Sequence, residues 1–560
     1  MVERVCRRLV LALLSLVAAG CDASAASWQG QVGCGLDTAY MSSFGFIDRD
    51  ANVIEAPDSL LEPLMGHLRR LRRGAASTGD RLSVLHIGDS HIQADMMTGP
   101  MRTMMQSLFG NAGRGLVSPL KLARTNEPPD YSITSSVRWQ SADCIKRHPS
   151  FEPGMTGMAI TTPESSFDLT IRVFDKEGRT DGRFNTVRAY HSPSSTPLCV
   201  DGCGNVAGAD TVTSWCSVIE LGRLTDTLTL TPKGGGGVGE YWGFSLENGR
   251  GGVIYHSIGI NGACFAHFSR ISDNMERTSD LAPELVLISL GTNEASTSAF
   301  NEEFFYSQIE SMVAPLRRVH PKAVFVLTTP AQNFRRTRRG LSPNDNIVRA
   351  RDVIAGYARD KGLALWDMYK VCGADSAAVE WYKAGLMARD RIHYTEEGYR
   401  LQAMLLFEAL MNAYDRSLVA ERERVVASVG MESVVRRRGE LLSEALGVRL
   451  TPLELPFVTF DAKVRRRPPL SRLSERLASR ERGGADDDAV IDGNACTGGR
   501  KSLLYRVLMR AGKVHAGGDV AGLEHEDKAV KGEAVKSVII RKTRHKEASD
   551  DRERVSDVAY

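Results

Sequence analysis

The sequence predicts an α/β protein whose parallel sheet is covered by helices on both faces and interrupted by a long all-β segment. Two observations lead to this prediction. Strand-length apolar runs alternate with helix-length amphipathic segments in two separate parts of the chain, as in a doubly covered parallel sheet. Between these parts, residues 113–250 contain only short runs rich in Val, Thr and aromatic residues, bounded by turn residues, as in a β-sandwich.

The first α/β part spans residues 46–112. Its expected elements are an extended lead-in, a helix with arginines on its exposed face, a buried strand and a second helix: residues 46–58, 60–73, 84–87 and a segment ending near 109. The strand breaks at Gly88-Asp89-Ser90. This break puts the hydroxyl of Ser90 at the carboxyl edge of the sheet, where open α/β sheets hold their ligands.

The all-β segment, residues 113–250, is expected to form an inserted sandwich domain, because the α/β pattern resumes beyond it. Its aromatic residues suit either a hydrophobic core or platforms for sugar rings, and core packing is the commoner use of any single aromatic. These residues are Trp139, Tyr190, Trp215, Tyr241 and Trp242.

The second α/β part spans residues 251–427. Strands are expected at 253–258, 285–290, 323–327 and 363–366, and helices at about 302–318, 347–358, 377–387 and 395–414. Thr395 is a candidate cap for the last of these helices. Residues 465–560 lose this periodicity and mix both charges, which predicts a disordered tail; attachment to an anionic polymer is the alternative use of its basic residues.

Residues 1–25 have the parts of a secretory signal: three arginines, the apolar run 9–19 and then small residues. The apolar run is too short to span a membrane comfortably. Two forms of export remain open. Ala18-Ala19-Gly20-Cys21 is similar to a bacterial lipoprotein box, in which Cys21 would carry the lipid, whereas Ala23-Ser24-Ala25 suits ordinary signal peptidase. We expect a periplasmic protein or a lipoprotein whose only membrane contact is this anchor.

The net charge of +3 over 560 residues gives no reason to expect a nucleic-acid partner. Some of the ten cysteines are expected to pair in an exported protein, with Cys199 and Cys203, or either with Cys144 or Cys216, as candidates. No second cysteine pair or histidine pair stands at zinc-ligand spacing, so the sequence predicts no metal site and no cofactor.

Five residues supply the parts that acyl transfer requires. Ser90 is the candidate nucleophile, His393 the general base, and Asp390 the group that orients the imidazole ring. The oxyanion donors are expected to be the backbone amides of Ser90 and Gly262 and the side-chain amide of Asn293. Gly262 suits this position because a glycine backbone approaches a substrate without a β-carbon in the way.

The order of four blocks resembles that of the SGNH (GDSL-type) hydrolases: Gly88-Asp89-Ser90, Gly262, Gly291-Thr292-Asn293 and Asp390-x-x-His393. The resemblance implies a flavodoxin-like, three-layer parallel sheet and serine-dependent ester hydrolysis. One position departs from the pattern, because His91 stands where the family name has Leu. His91 is a possible substrate-binding residue, and a structural role suits it equally.

A closer likeness covers about residues 46–414. Runs at 86–95, 109–116, 125–126, 245–248, 255–263 and 291–295 resemble bacterial peptidoglycan O-acetylesterases, whose inserted β-sandwich is similar to a carbohydrate-binding module. The likeness implies removal of O-acetyl groups from cell-wall glycan. Arg114 and Asn126 lie in matching runs, where they either line the substrate cleft or hold the insert against the hydrolase.

Three other functions remain open. An O-acyltransferase to a cell-wall or surface polysaccharide would use the same acyl-enzyme, with a sugar hydroxyl in place of water. A surface lipoprotein that binds glycan without turnover would not need Ser90, Asp390 and His393, so their presence argues against it. A lipase would need a wide apolar cleft, which a sequence does not show.

Overall fold

The computed structural model describes residues 36–428, apart from 75–78, 177–178, 202–209 and 338–339. These residues belong to one compact unit. The predicted signal at 1–25, including Cys21, and the predicted tail at 465–560 lie outside the described residues. Within the described ranges, no helix is both long enough and apolar enough to cross a membrane.

A six-stranded sheet forms the centre of the α/β part. Across the sheet its strands are Gly252–Gly259, Arg81–Gly88, Leu285–Ser289, Val324–Thr328, Ala364–Trp366 and Ile54–Glu55. The first five are parallel, and the edge strand Ile54–Glu55 is antiparallel to its neighbour. Counted along the chain, the parallel strands stand in the order 2-1-3-4-5, which is flavodoxin-like. The predicted fold class is therefore confirmed.

Helices cover both faces of this sheet. One face packs against Asp58–Arg72, Thr98–Phe109 and Glu396–Ser428, and the other against Phe265–Ser269, Glu302–Val319 and Asn346–Lys361. Alternate residues of each strand enter the two cores: Val84 faces the first set of helices and Leu85 the second. The two-sided burial explains why the strands read as continuous apolar runs.

The shorter helices lie mostly at the ends of strands and in loops. They are Thr38–Ser42, Ser90–Gln93, Ser272–Met275, Thr292–Ala295, Met368–Val371 and Ala377–Lys383, with 3₁₀ turns at Glu276–Leu281 and Ala374–Ser376. The helix expected over 377–387 thus ends at Lys383. The last helix begins as expected, because Thr395 Oγ1 caps it by accepting the backbone N–H of Gly398 at 3.3 Å. This helix continues to Ser428.

Two antiparallel sheets lie between the two α/β parts. The larger contains Gly113–Val117, Gln140–Asp143, Met158–Thr161, Phe184–His191, Asp210–Thr213, Cys216–Thr225 and Glu240–Glu247. The smaller contains Tyr131–Thr134, Leu169–Val173, Leu198–Val200 and Thr227–Pro232. Both contribute to one hydrophobic core. Met158 and Trp242 of the larger sheet belong instead to the core on one face of the six-stranded sheet.

The aromatic residues of this segment are mainly core residues. Trp139, Tyr190, Tyr241 and Trp242 are buried, and Trp215 is partly exposed. The expected disulfides are wrong where they can be checked, because Cys144, Cys199 and Cys216 are free thiols. Cys199 lies in the smaller sheet, whereas Cys144 and Cys216 are buried in the core beneath the larger one. Cys203 lies outside the described residues.

Strands are present in two places where the sequence predicted only connecting segments. The lead-in at 46–58 contains the edge strand Ile54–Glu55, and a hairpin of Phe334–Thr337 and Gly340–Pro343 follows the fourth parallel strand. A two-residue strand is too short to show periodicity, and the hairpin is polar enough to read as a loop.

Candidate active site

The predicted site residues come from loops at the carboxyl ends of neighbouring strands. Asp89 and Ser90 follow Arg81–Gly88, Gly262 follows Gly252–Gly259, and Asn293 follows Leu285–Ser289. The turn 388–393 precedes the last helix and reaches the same edge. Parallel strands make this convergence possible, because all their carboxyl ends meet at one side of the sheet.

The nucleophile candidate begins a one-turn helix, Ser90–Gln93. Asp89 caps this helix, with its Oδ1 accepting a hydrogen bond from the backbone N–H of His91 at 2.9 Å. The tight turn needs Gly88, because a β-carbon there would lie 2.8 Å from the backbone oxygen of Ser289. Ser90 Oγ lies 2.8 Å from His393 Nε2, so a proton can pass directly between them.

His393 is held on its other side by Asp390. Its Nδ1 lies 2.7 Å from Asp390 Oδ2, while Asp390 Oδ1 accepts the backbone N–H groups of Ile392 and His393 at 2.9 and 3.0 Å. These hydrogen bonds lower the pKa of Asp390. The hydrogen bond to Asp390 in turn raises the pKa of His393 above its ordinary value, although partial burial opposes this. Ser90, His393 and Asp390 thus form one continuous hydrogen-bonded chain.

The turn that carries Asp390 and His393 is fixed by contacts that the sequence did not indicate. Arg391 has a φ of +58°, a left-handed conformation that is costly for a residue with a side chain. Its guanidinium stacks over Tyr382 at 4.2 Å and Phe334 at 4.9 Å from the ring centroids. Its carbonyl accepts the backbone N–H of Phe334, at the start of the unexpected hairpin. These contacts hold the turn against the sheet edge.

The candidate oxyanion donors flank the nucleophile. Gly262 has a φ of +75°, which favours glycine. Asn293 Nδ2 donates to the carbonyl of Ala263 at 2.9 Å and to Asp89 Oδ2 at 3.2 Å. Asn293 therefore links the loop of Gly262 to the residue preceding Ser90, and the three predicted donors belong to one connected group.

Two buried carboxyl groups in this region were not singled out from the sequence. Asp89 is 1% exposed, and burial raises its pKa to about 7. Glu294 accepts the backbone N–H of Phe265 at 2.8 Å, and burial likewise raises its pKa to about 7. Both residues belong to blocks that were recognised, but burial of a turn carboxylate leaves no signal in a sequence.

His91 lies beside the catalytic candidates without joining their chain. Its Nδ1 is 3.0 Å from the hydroxyl of Tyr399, and its ring centroid is 5.2 Å from that of His393. Burial, and secondarily the charge of His393, lower the pKa of His91 to about 3, so the ring stays neutral. These contacts favour the structural alternative over substrate binding.

Arg114 and Asn126 take different positions. Arg114 is 4% exposed, and its guanidinium donates to Asp95 at 3.1 Å and to Asp130 at 2.9 Å. Its charge is already paired, which favours the second of its two expected roles, holding the insert, over contact with substrate. Asn126 is exposed and accepts hydrogen bonds from the side chains of Gln93 and Asn261, both at 2.7 Å. Asn126 thus supports two loops of the site.

Within the part of the chain that the structure describes, no three His, Cys, Asp or Glu side chains are grouped as metal ligands. The chemistry available at the site is that of a hydroxyl, an imidazole and a carboxylate in series. This series is the arrangement that activates a serine for acyl transfer.

Residues 224–401 match the model of the GDSL-like Lipase/Acylhydrolase family. The match includes Gly262, Asn293, Asp390 and His393 but begins after Ser90, because the all-β segment separates the first block from the others. No curated protein sequence matches the chain significantly.

Among solved structures, one described as a peptidoglycan O-acetylesterase is 20% identical, with a TM-score of 0.52, and the match covers 66% of this chain and all of the other. An acetyl xylan esterase is 20% identical over 28% of this chain and 81% of its own, with a TM-score of 0.24. A lipase/acylhydrolase from Enterococcus faecalis is 20% identical over 29% and 77%, with a TM-score of 0.23. The first of these shares the fold. The family-model match thus identifies residues 224–401 as part of a GDSL-like lipase/acylhydrolase domain.

Proposed function

We propose that this protein is an exported serine esterase that removes O-acetyl groups from the glycan of peptidoglycan. The observation that carries the proposal is the unbroken chain from Ser90 Oγ through the His393 ring to Asp390, with contacts of 2.8 and 2.7 Å. A serine hydroxyl is a weak nucleophile until an adjacent base takes its proton, and this chain supplies the base and the group that orients it.

In the first half of the reaction, Ser90 Oγ attacks the carbonyl carbon of the acetyl ester while His393 Nε2 accepts the hydroxyl proton. The resulting oxyanion receives hydrogen bonds from the backbone amides of Ser90 and Gly262. Asn293 Nδ2 supplies a third when it exchanges its 3.2 Å hydrogen bond to Asp89 Oδ2 for one to the oxyanion. When the C–O bond to the sugar breaks, His393 returns the proton to the departing sugar oxygen. Acetyl-Ser90 and a free sugar hydroxyl remain.

In the second half, water replaces the sugar. His393 takes a proton from the attacking water, the tetrahedral intermediate forms and collapses, and the proton returns to Ser90 as acetate leaves. Asp390 keeps the proton of the imidazole on Nδ1, so that Nε2 is free to act as the base. Its short contact with Nδ1 suits this role.

The substrate is proposed from the sequence blocks shared with peptidoglycan O-acetylesterases, and the name of the structure with the same fold agrees with it. Export is proposed from the signal-like residues 1–25, with Cys21 as the lipidated residue. Fractionation of cells that express the full chain tests export. Loss of membrane attachment in Cys21→Ala, with secretion retained, is the expected result; a protein that stays in the cytoplasm would contradict the proposal.

The proposed function is tested by acetate release from O-acetylated peptidoglycan, measured beside hydrolysis of an aryl acetate. We expect the wild type to release acetate from both substrates and Ser90→Ala to release it from neither. Turnover of the aryl ester alone would leave the hydrolase in place and refute the substrate. Transfer of the acetyl group to an added glycan hydroxyl, in preference to water, would identify an acyltransferase instead.

A further inference from the structure

An open cleft lies at the seam between the hydrolase and the all-β segment. It holds about 380 Å³ of space, open solvent included. Gln93 and Asn261 line it from the hydrolase side. Ser141, Asp143 and Ile145 line it from the all-β segment. The cleft therefore exists only because the two parts of the chain meet.

This cleft adjoins the proposed active site. Gln93 ends the same one-turn helix that Ser90 begins, and Asn261 immediately precedes Gly262. A β-carbon placed on Gly262 would stand 3.5 Å from the Cδ1 of Ile145, so a wall of the cleft is in van der Waals reach of a candidate oxyanion donor. A ligand in the cleft and an ester at Ser90 could belong to one molecule.

The two amide side chains of the cleft are held in fixed orientations. Gln93 is 5% exposed and donates to Thr125 Oγ1 at 2.9 Å and to Asn126 Oδ1 at 2.7 Å. Its own oxygen accepts the backbone N–H of Asn261 at 2.7 Å. The amide nitrogen of Asn261 donates to Asn126 Oδ1 at 2.7 Å, which leaves the amide oxygen of Asn261 to face a ligand.

Polar atoms in the cleft remain available. Asp143 uses Oδ1 to accept the backbone N–H groups of Ile145 and Lys146, at 3.1 and 3.2 Å. Across the residues that the structure describes, no hydrogen bond or ion pair engages Asp143 Oδ2, Ser141 Oγ or Asn261 Oδ1. Two of these three oxygens can only accept, so they fit a ligand that is rich in hydroxyl or amide donors.

The remaining surface of the cleft is aliphatic. Ala142, Ile145, Met158 and Ile260 supply apolar atoms to its lining. A pyranose ring carries hydroxyl donors at its edge and C–H groups on its face, so a sugar matches both features, whereas a fatty acyl chain would leave the oxygens unsatisfied. The carboxylate of Asp143 also disfavours an anionic group at this point.

We propose that this cleft is a glycan subsite, in which Asp143, Ser141 and Asn261 accept hydrogen bonds from a sugar unit of the polymer whose ester reaches Ser90. The proposal rests on the proposed function for its substrate class. In this proposal the all-β segment takes part directly in substrate recognition, through residues of the strand Gln140–Asp143. This hydrogen bonding is distinct from any stacking of sugars on the buried aromatic residues of the segment.

The test compares Asp143→Asn with Glu220→Gln. Asp143→Asn keeps Oδ1 for the turn but replaces the accepting Oδ2 by a donor. Glu220→Gln makes the same change of charge on an exposed residue four strands away in the same sheet, about 20 Å distant. We expect kcat/KM for O-acetylated glycan, relative to that for an aryl acetate, to fall about tenfold or more in Asp143→Asn. The same ratio is expected to stay unchanged in Glu220→Gln.

A binding measurement separates the subsite from the reaction. Ser90→Ala is titrated with the de-O-acetylated disaccharide of the peptidoglycan glycan, with and without Asp143→Asn, by calorimetry. Weaker binding in the double variant supports the subsite, whether or not the wild type releases acetate. Absence of acetate release from the wild type would refute the proposed function alone. The opposite result is that Asp143→Asn and Ser141→Ala change neither acetate release from the glycan nor binding of the disaccharide. That result would overturn the subsite and leave the esterase standing.

Discussion

At the scale of single residues, His393 determines how activity should depend on pH. Only the neutral ring can take the proton of Ser90, and the hydrogen bond to Asp390 raises the pKa of the ring above its ordinary value of about 6.5. We expect kcat/KM for an aryl acetate to rise with pH, with a midpoint above that value. Steady-state rates between about pH 5 and 9 measure it.

Replacing Asp390 separates its two effects. Asp390→Asn removes the charge that stabilises the protonated ring, so the midpoint should move to lower pH. The amide also fails to hold the proton on Nδ1, so the limiting rate should fall by about a hundredfold or more. Thermal unfolding of the variant controls for structural damage. An unshifted midpoint with a full rate would mean that Asp390 does not act on His393.

Asn293 allows a third residue-scale prediction. If its amide stabilises the oxyanion, Asn293→Ala should lower kcat by about 10²- to 10³-fold and change KM little, because the interaction exists only in the transition state. Since Asn293 also donates to Asp89 and Ala263, the variant's unfolding curve must be measured alongside. A large rise in KM with kcat preserved would contradict the assignment.

The site residues differ in how far the sequence could predict them. Ser90 and His393 are 303 positions apart, yet each stands in a block whose composition suits its role, and the strand-end argument brings them together. Arg114 was not predictable in the same way. The local sequence does not distinguish an arginine that is buried beside carboxylates from one that faces a ligand, because burial depends on distant parts of the chain.

At the scale of elements, the geometry of the nucleophile depends on two paired glycines. Gly88 and Gly259 are register partners at the ends of adjacent strands. A β-carbon at Gly259 would stand 2.2 Å from the backbone nitrogen of Gln93, so Gly259→Ala must displace the helix Ser90–Gln93. Small displacements of a reacting group are costly, and we expect kcat to fall by about a hundredfold.

The matched control is Gly356→Ala. Gly356 lies within the helix Asn346–Lys361, and nothing stands within 4 Å of the added methyl group. This variant should keep full activity and gain about 0.5 to 1 kcal/mol in the free energy of unfolding, because alanine is the better helix former. Equal activity of the two alanine variants would show that the helix of Ser90 tolerates the displacement.

The elements that the sequence predicted best are the long ones with strong periodicity. The five parallel strands and the three helices at 58–72, 302–319 and 346–361 lie close to their expected positions. The edge strand Ile54–Glu55 and the hairpin at 334–343 were missed. Their pairing depends on partners elsewhere in the chain, Ala364–Trp366 for the edge strand and the turn of Arg391 for the hairpin, so local pattern carries little information about them.

At the scale of the whole molecule, a cluster of buried charges joins the all-β segment to the hydrolase. Asp95 is fully buried five residues after Ser90, and it accepts hydrogen bonds from Arg102, Arg114 and Arg179. Asp130 accepts from Arg102 and Arg114, each at 2.9 Å. Two of these residues lie in the hydrolase and three in the all-β segment. The charges hold the loop behind the nucleophile against the insert.

Removing one member of this cluster should therefore weaken the whole described unit. Arg114→Met preserves much of the side-chain volume but leaves Asp95 and Asp130 each without one buried cationic partner. Breaking a buried ion pair from one side costs about 3 to 5 kcal/mol, and because Arg102 remains, we expect a loss near the lower limit. Denaturant unfolding measures this loss. Arg183→Met, which removes an exposed pair with Asp181, is the control and should leave the unfolding midpoint nearly unchanged. If Arg114→Met is as stable as the wild type but has lost activity on glycan alone, the guanidinium contacts substrate, which is the other role that the sequence left open.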